Sequence, residues 1–178
     1  EAVGLNFLDI LAIAGKYQEK GPLPFIPGIE AAGRVVESGP ESSFTVGDKV
    51  MTIGDAACAE YMAAGSETTF FIPEGMSYEQ AAAFQLIYQT AHVALIHRAM
   101  LQADEWLLVH AGAGGVGTAA IQVGRALGAR VVATAGSDNK LETCRQAGAE
   151  LAINYRKTNF CQSIREITCG RGADVIFD

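Results

Sequence analysis

Residues 107–135 read LLVHAGAGGVGTAAIQVGRALGARVVATA and contain the most informative pattern in the sequence. The stretch begins with an apolar run of the length of a buried strand and closes with a second, β-branched strand. Between them, residues 112–117 fit the pattern G-x-G-x-x-G, and apolar residues then recur at spacings of three and four as far as Gly128. This order predicts a strand, a glycine turn, a helix that ends at a glycine, and another strand.

The glycine pattern has a physical explanation in this setting. The first glycine permits a tight turn, the second lets the backbone approach a pyrophosphate, and the third allows the helix to pack closely on the strand. The N–H groups at the start of the helix then face the phosphates. We therefore predict that a dinucleotide binds at Gly112, Gly114, Gly115, Val116 and Gly117. The alternative is a glycine-rich turn that only joins the strand to the helix.

The pattern extends outward from this unit in both directions. Helices near 138–147 and 159–168 alternate with strands at 151–154 and 174–177, which predicts a parallel sheet of four strands in the order 3-2-1-4. Residues 1–84 are β-rich, with strands predicted at 31–37, 49–53, 58–64 and 69–72 in a small barrel or sandwich. Between these regions, an S-x-x-Q capping box at Ser77 and Gln80 begins a helical segment that extends to Met100.

Composition limits the classes of partner. The net charge of −7 argues against a general binder of nucleic acid or of anionic membranes. We find no signal peptide and no uninterrupted apolar span, and the four cysteines lack metal-ligand spacing. We therefore expect reduced thiols in a cytoplasmic protein. His92 and His97 have a spacing that places them on different faces of a helix, so we predict no metal site.

The end of the second strand indicates which cofactor is preferred. Sites that prefer NAD usually place an acid there, on the ribose 2′-hydroxyl. Here the strand runs through Gly136 and Ser137 without an acid, and Asp138 is predicted to cap the next helix rather than bind ribose. Small polar residues and the nearby cation of Lys140 suit a 2′-phosphate, which favours NADPH. The alternative for Lys140 is an ordinary solvated charge.

Several motifs in their expected order resemble one known family over essentially the whole chain. They are residues 4–9 (GLNFLD), 24–30 (PFIPGIE), 47–50 (GDKV), 88–91 (YQTA), 111–117 (AGAGGVG), 153–155 (INY) and 170–175 (GRGADV). The chain resembles the zinc-free quinone oxidoreductase, or zeta-crystallin-like, branch of the medium-chain dehydrogenase/reductases. The resemblance implies an α/β protein: a GroES-like β-rich catalytic domain at 1–84, then a partial Rossmann doubly wound parallel sheet that binds NADPH at 85–178.

The resemblance also implies more chain on both sides. Full-length members have further strands before Glu1 and the rest of the Rossmann sheet after Asp178, so we expect a fragment that lacks both ends and is inactive alone. The full-length protein would be a homodimer or homotetramer. Zinc-binding relatives carry cysteine and histidine in two of these motifs, where this chain has residues 6–9 (NFLD) and 28–30 (GIE). Glu30 remains without its histidine, and a lone carboxylate cannot form a tetrahedral zinc site.

Site residues follow from the resemblance. It implies that Asn6 and Asp9 are the catalytic residues that line the cleft for substrate and nicotinamide, with Thr90 beside the nicotinamide. It further implies that Gly136, Ser137, Lys140 and Tyr155 surround the adenosine 2′-phosphate. Asn6 also suits a helix N-cap, and Tyr155 also suits a packed surface aromatic. Some bacterial members have a tyrosine where Leu11 stands, and leucine cannot make any polar contact that this tyrosine would make to substrate.

These observations lead to an expected function with two alternatives. We expect an NADPH-dependent reductase that transfers hydride to a small-molecule quinone or α,β-unsaturated carbonyl. An enoyl reductase acting on acyl thioesters, as in polyketide synthase modules, shares the motifs. A crystallin-like protein that binds NADPH without turnover is the non-enzymatic alternative.

Overall fold

The computed structural model describes residues 1–19 and 21–178, which fall into two units, Glu1–Leu86 and Ile87–Asp178. The first unit contains an antiparallel sheet of four strands in the order β1-β2-β3-β4. The strands are β1 (Ala2–Gly4), β2 (Glu30–Arg34), β3 (Lys49–Ile53) and β4 (Thr69–Phe71). Helix α1 (Phe7–Ile13) follows β1, and helix α2 (Tyr78–Ala82) packs on β1 and β2. Ala32, Met51, Ala81 and Ala82 form the small core between α2 and the sheet.

Two expectations for this unit need correction. The described residues form one antiparallel sheet and neither a closed barrel nor a sandwich. Residues 58–64 are not a strand, because the local backbone bonds to a loop instead of to the sheet. The N–H groups of Ala57 and Cys58 donate to the carbonyls of Gly28 and Pro27, at 3.0 and 2.9 Å, just after Ala56 adopts a φ of +62°.

The predicted capping box at Ser77 is confirmed. The Ser77 N–H donates to Gln80 Oε1 at 3.0 Å, and the Gln80 N–H donates to Ser77 Oγ at 3.2 Å. The helical segment that follows is divided into α2 and α3 (Gln85–His92), and α3 continues into a π-helical turn at Val93–Arg98. No described helix has the length and the apolar composition needed to cross a membrane.

The π-helical turn overturns the prediction for the two histidines. An α-helix turns by about 100° per residue, so positions five apart face different directions. A π-helix has more residues per turn, which brings positions five apart back toward one face. The rings of His92 and His97 accordingly lie side by side, with centroids 5.2 Å apart.

The second unit contains the predicted parallel sheet. Its strands are β5 (Trp106–Val109), β6 (Arg130–Ala135), β7 (Leu151–Asn154) and β8 (Val175–Phe177), in the spatial order β7-β6-β5-β8. Numbered within this unit, that order is 3-2-1-4, as the sequence predicts. Three helices connect the strands: α4 (Gly115–Ala126), α5 (Asp138–Ala147) and α6 (Phe160–Ile167). The α/β fold class is therefore confirmed.

Both faces of this sheet are covered, as in a doubly wound fold. Leu107, Val109 and Val131 point to the face that packs on α4 and α5, whereas Leu108 and Val132 point to the face that packs on α6. This alternation follows from the two-residue period of a strand, and strands buried on both faces need the continuous apolar runs seen in the sequence. Because all strands run in parallel, the segments that follow their carboxyl ends meet at one edge, where the nucleotide site is expected.

Candidate functional site

The glycine turn after β5 lies in a space that has no room for side chains. A Cβ atom on Gly112 would lie 2.8 Å from the Cβ of Ala133 and 3.1 Å from Cys144 Sγ. A Cβ atom on Gly117 would lie 2.8 Å from the Cα of Gly112. Both glycines are buried, and the Gly112 N–H donates to the carbonyl of Thr134 at 2.9 Å. Because Gly112 and Gly117 have no side chain, β5, β6 and α4 can pack closely together at this turn.

The other two glycines of the turn face outward. Gly114 and Gly115 are exposed, and Gly114 is the N-cap residue of α4. Among the described residues, no side chain caps this helix. The N–H groups of Gly115, Val116 and Gly117 begin the helix and have no acceptor within it, because the first turn of any helix lacks them. An uncapped twelve-residue helix with bare glycines at its start offers N–H donors and a positive dipole end to an anion.

The end of β6 brings two of the predicted residues, Gly136 and Tyr155, together with a third residue that was not predicted. Gly136 follows the last residue of the strand, and a Cβ atom there would lie 2.7 Å from Tyr155 Oη. The same position lies 3.5 Å from Arg156 Nε, so a guanidinium group stands beside the tyrosine. Tyr155 is about half exposed (49%), and its hydroxyl lies against Gly136. Arg156 is a residue that the sequence analysis missed.

Ser137 and Lys140 lie just beyond Gly136. Ser137 is the N-cap residue of α5, and its hydroxyl donates to Asn139 Oδ1 at 2.5 Å. Lys140 is exposed in the first turn of α5, and in the described part of the chain its ammonium group has no ion pair. The positions are compatible with phosphate binding, which stays a prediction for both residues.

Asp138 has a different position from the one expected. It is the first residue of α5 rather than its cap, and its two carboxylate oxygens bind different partners. Oδ1 accepts a hydrogen bond from Asn154 Nδ2 at 2.8 Å, and Oδ2 pairs with the ammonium group of Lys157. The hydrogen bonds from Lys157 and Asn154 lower the pKa of Asp138 below its ordinary value. The prediction that Asp138 caps α5 is therefore wrong.

In the first unit, Asn6 and Asp9 are joined by hydrogen bonds. Asn6 is the N-cap residue of α1, and its N–H donates to Asp9 Oδ2 at 2.7 Å. The Asn6 side-chain amide donates to Glu30 Oε1 at 2.7 Å, while Glu30 Oε2 accepts from the Leu86 N–H at 3.1 Å. Glu30 and Asp9 are buried, at 2% and 4% exposure. The amide of Asn6 is thus held in one orientation, a role for Glu30 that the sequence analysis did not anticipate.

A cavity of 680 Å³ lies beside these residues within the first unit. It is lined by α1 residues, including Asp9, and by the proline-rich loop that follows Gly21. Its polar lining residues are Asp9, Tyr17, Glu19 and Asp55, and most of its other lining residues are apolar. Ligand pockets commonly have this size and this mixture of apolar walls with a few polar groups.

Thr90 is the last of the site residues named by the sequence analysis, and His110 lies next to the glycine turn in the sequence. Thr90 is exposed on α3, the helix whose Ile87 side chain packs against Gly115 at the start of α4. His110 follows β5 directly, and its Nδ1 shares a hydrogen bond with Thr134 Oγ1 at 2.8 Å. Among residues 1–19 and 21–178, no group of three or more histidine, cysteine or acidic side chains lies together as a metal site would require.

Comparison with known families identifies both units. Residues 1–101 match the family model described as the alcohol dehydrogenase GroES-like domain. Residues 115–178 match the model described as zinc-binding dehydrogenase. The first of these covers more than half of the chain.

Known proteins of similar sequence and structure agree with this. The quinone oxidoreductase-like protein 2 of Mus musculus is 39% identical over 98% of this chain and 51% of its own length. The Escherichia coli quinone oxidoreductase complexed with NADPH has a TM-score of 0.90 and 34% identity, over 100% of this chain and 55% of that one. The CurK enoyl reductase has a TM-score of 0.90 and 33% identity, over 99% of this chain and 56% of that one.

This chain spans about half the length of the curated relatives it matches. The matches nevertheless extend over both units, and the fold and the glycine turn agree with them. The chain belongs to the alcohol dehydrogenase GroES-like family, as a quinone oxidoreductase-like member of the medium-chain dehydrogenase/reductase superfamily.

Proposed function

We propose that the whole protein is an NADPH-dependent oxidoreductase that transfers hydride to quinones or α,β-unsaturated carbonyls. The observation that carries the proposal is the end of β6, where Tyr155 and Arg156 stand over Gly136 and the nearest acid, Asp138, is already paired. This arrangement favours a 2′-phosphate over a free ribose hydroxyl. The likeness to a quinone oxidoreductase complexed with NADPH supports both the cofactor and the substrate class.

The glycine turn at residues 112–117, called the phosphate turn from here on, fits the pyrophosphate of the cofactor. Gly114 and Gly115 leave an open approach to the uncapped start of α4, so a pyrophosphate would meet the N–H groups of Gly115, Val116 and Gly117. Tyr155, Arg156 and Lys140, with Ser137 and Gly136, would surround the 2′-phosphate. Thr90 would lie beside the nicotinamide, as the family resemblance implies. When bound, NADPH supplies the hydride itself.

The chain's own residues position the substrate. Glu30 holds the side-chain amide of Asn6, and Asp9 holds the backbone N–H of Asn6, so the Asn6 side chain is preorganised for a hydrogen bond to substrate or nicotinamide. The apolar walls of the cavity beside Asp9 suit an uncharged quinone or enone and would exclude water. We propose Asn6 and Asp9 as the catalytic residues on this basis.

We further propose that the reaction does not require zinc. The positions that carry zinc ligands in other members of the superfamily hold residues 6–9 (NFLD) and 28–30 (GIE), and Glu30 already accepts two hydrogen bonds. These two bonds give Glu30 a role that needs no metal. The full-length protein is proposed to be a homodimer or homotetramer.

A second candidate function is reduction of enoyl thioesters. The structural likeness to the CurK enoyl reductase, with a TM-score of 0.90, favours it specifically. The chemistry differs from the first proposal only in the acceptor, which would carry an acyl thioester in place of a quinone or a simple enone.

The two proposals can be separated by a substrate panel. The whole protein is incubated with NADPH and, separately, with a benzoquinone, a simple enone and an enoyl thioester, and NADPH oxidation is followed by absorbance. Turnover of quinone or enone supports the first proposal. Turnover restricted to the thioester replaces it with the second, and stoichiometric NADPH binding without turnover of any acceptor supports a crystallin-like binding protein.

A further inference from the structure

Asp138 is the first acidic residue after β6, and its carboxylate is paired with two groups that belong to the neighbouring β7 and the turn that follows it. We propose that Lys157 and Asn154 are cofactor-specificity residues that act by keeping Asp138 occupied, so that the 2′-phosphate of NADPH meets no free acid at the end of β6. The inference rests on the proposed NADPH site and extends it to residues that need not touch the cofactor.

The side chain of Asn154 is fixed by hydrogen bonds at both ends of its amide. This residue ends β7 and is only 7% exposed. Its Nδ2 donates to Asp138 Oδ1 at 2.8 Å, and its Oδ1 accepts the N–H of Arg156 at 3.0 Å. Both ends of the amide are therefore engaged, which fixes the amide plane. One side chain thus links the position of Asp138 to the backbone of Arg156.

Lys157 supplies the charge. Its ammonium group pairs with Asp138 Oδ2, and the two side chains are 65% and 60% exposed. The same interactions hold the pKa of Asp138 below its ordinary value, so the acid is ionised at neutral pH. Protonation therefore cannot remove the negative charge near the phosphate, and in the part of the chain that the structure describes, Lys157 is the residue that forms an ion pair with it.

A free acid at this place would have two consequences. It would repel the 2′-phosphate of NADPH, and it would offer an acceptor to the free 2′-hydroxyl of NADH. With Lys157 present, Arg156 and Lys140 act on the phosphate without opposition from Asp138. Lys157 thus favours NADPH indirectly, and removing it should change the ratio of the two affinities more than the stability of the fold, since exposed ion pairs contribute little to stability.

The test compares dissociation constants for NADPH and NADH, measured by fluorescence titration on the whole protein. In Lys157→Met, the preference for NADPH should fall about threefold to fivefold, the upper part of the range expected for one exposed charge pair. In the double variant Lys157→Met with Asp138→Asn, the preference should return to about the wild-type value, because the repelling acid is gone. Lys157→Arg should keep the preference.

Arg145→Met is the matched control. Arg145 forms another exposed ion pair on α5, with Glu142 at 3.4 Å, and its loss removes the same charge at the opposite end of the helix from Asp138. The control should leave the preference unchanged. An NMR titration supplies an independent readout: the pKa of Asp138 should rise toward its ordinary value in Lys157→Met and stay low in Arg145→Met.

The possible failures are distinguishable. A wild-type preference for NADPH that Lys157→Met leaves unchanged would overturn this inference alone. An equal loss in the single and the double variant would also overturn it, because Lys157 would then contact the phosphate directly. Wild-type protein that prefers NADH, or binds neither nucleotide, would overturn the proposed function and this inference with it.

Discussion

Replacing Gly117 with alanine should disrupt the phosphate turn. The new Cβ atom would clash with the carbonyl oxygen of Ala111 and would lie 2.8 Å from the Cα of Gly112. Both neighbours are backbone atoms, so no change of rotamer can relieve the contact. Either the turn or the start of α4 must move, and each of them carries N–H groups that the proposed pyrophosphate site requires.

The size of the effect follows from these distances. Carbon atoms pack best at about 3.5–4.0 Å, so the new contact is too short by about 0.7 Å. Overpacking costs about 1–3 kcal/mol, and contacts this short with backbone atoms place the cost at about 2–3 kcal/mol, of which the higher helix propensity of alanine returns about 1 kcal/mol. We expect the free energy of unfolding to fall by about 1–2 kcal/mol and NADPH affinity to fall at least about tenfold, which corresponds to 1.4 kcal/mol.

The variant Gly114→Ala should weaken NADPH binding with little effect on the stability of the fold. Gly114 is exposed, and the nearest atom to its new Cβ would be the carbonyl oxygen of Ala111 at 3.3 Å. Alanine is a poor N-cap residue but should cost less than about 1 kcal/mol here, since no side-chain cap is lost. The methyl group would nevertheless occupy space through which the pyrophosphate approaches. Binding should therefore weaken while the unfolding midpoint changes little.

The assay uses urea unfolding and NADPH titration of the whole protein. Gly39→Ala is the negative control, because nothing lies within 4 Å of its new Cβ and its φ is not positive. It should change neither quantity. If Gly114→Ala bound NADPH as tightly as the wild type, the pyrophosphate would not lie at this turn. If Gly117→Ala kept full stability, the close approach of Gly117 and Gly112 would be wrong.

Three further predictions concern the other site residues. Lys140→Ala should weaken NADPH about tenfold and leave NADH nearly unchanged in parallel titrations; equal losses would refute the phosphate assignment. Glu30→Gln removes an acceptor from either the Asn6 amide or the Leu86 N–H. It should lower the free energy of unfolding by about 1–3 kcal/mol and reduce turnover, whereas the exposed Glu60→Gln should change neither. Chelation with EDTA should leave the activity of the whole protein intact, and a stoichiometric zinc lost together with activity would contradict zinc independence.

The Rossmann-like unit was predictable because its evidence is local. Gly112 and Gly117 are required by contacts with residues near them in sequence or on the next strand, and the strands beside them are continuous apolar runs. Short connections then leave few possible strand orders. The order 3-2-1-4 and the glycine that ends α4, Gly128 with a φ of +83°, agree with the sequence-based prediction.

The errors have non-local or geometric causes. The strand predicted at residues 58–64 fails because its first N–H groups bond to residues about 30 positions earlier, which no local pattern reveals. The separation of His92 and His97 was derived from α-helical geometry, and a single π-helical turn changes it. Asp138 looked like a helix cap because its partner Lys157 lies beyond the next strand.

The same contrast explains why the cofactor can be inferred more closely than the substrate. In the proposed site a pyrophosphate is bound by backbone N–H groups, and glycine leaves these groups accessible. The need for glycine is therefore visible in one short segment of the sequence. The cavity beside Asp9 combines α1, the loop after Gly21 and residues near Asp55, and its character depends on how these separate segments pack. Glu30 shows the consequence. In the sequence it resembles the remnant of a zinc motif, whereas in the structure its carboxylate orients Asn6, a residue 24 positions away. The geometry of the proposed substrate site is set by pairs of this kind, distant in sequence, and variants of Glu30 and Asn6 are therefore the direct way to probe it.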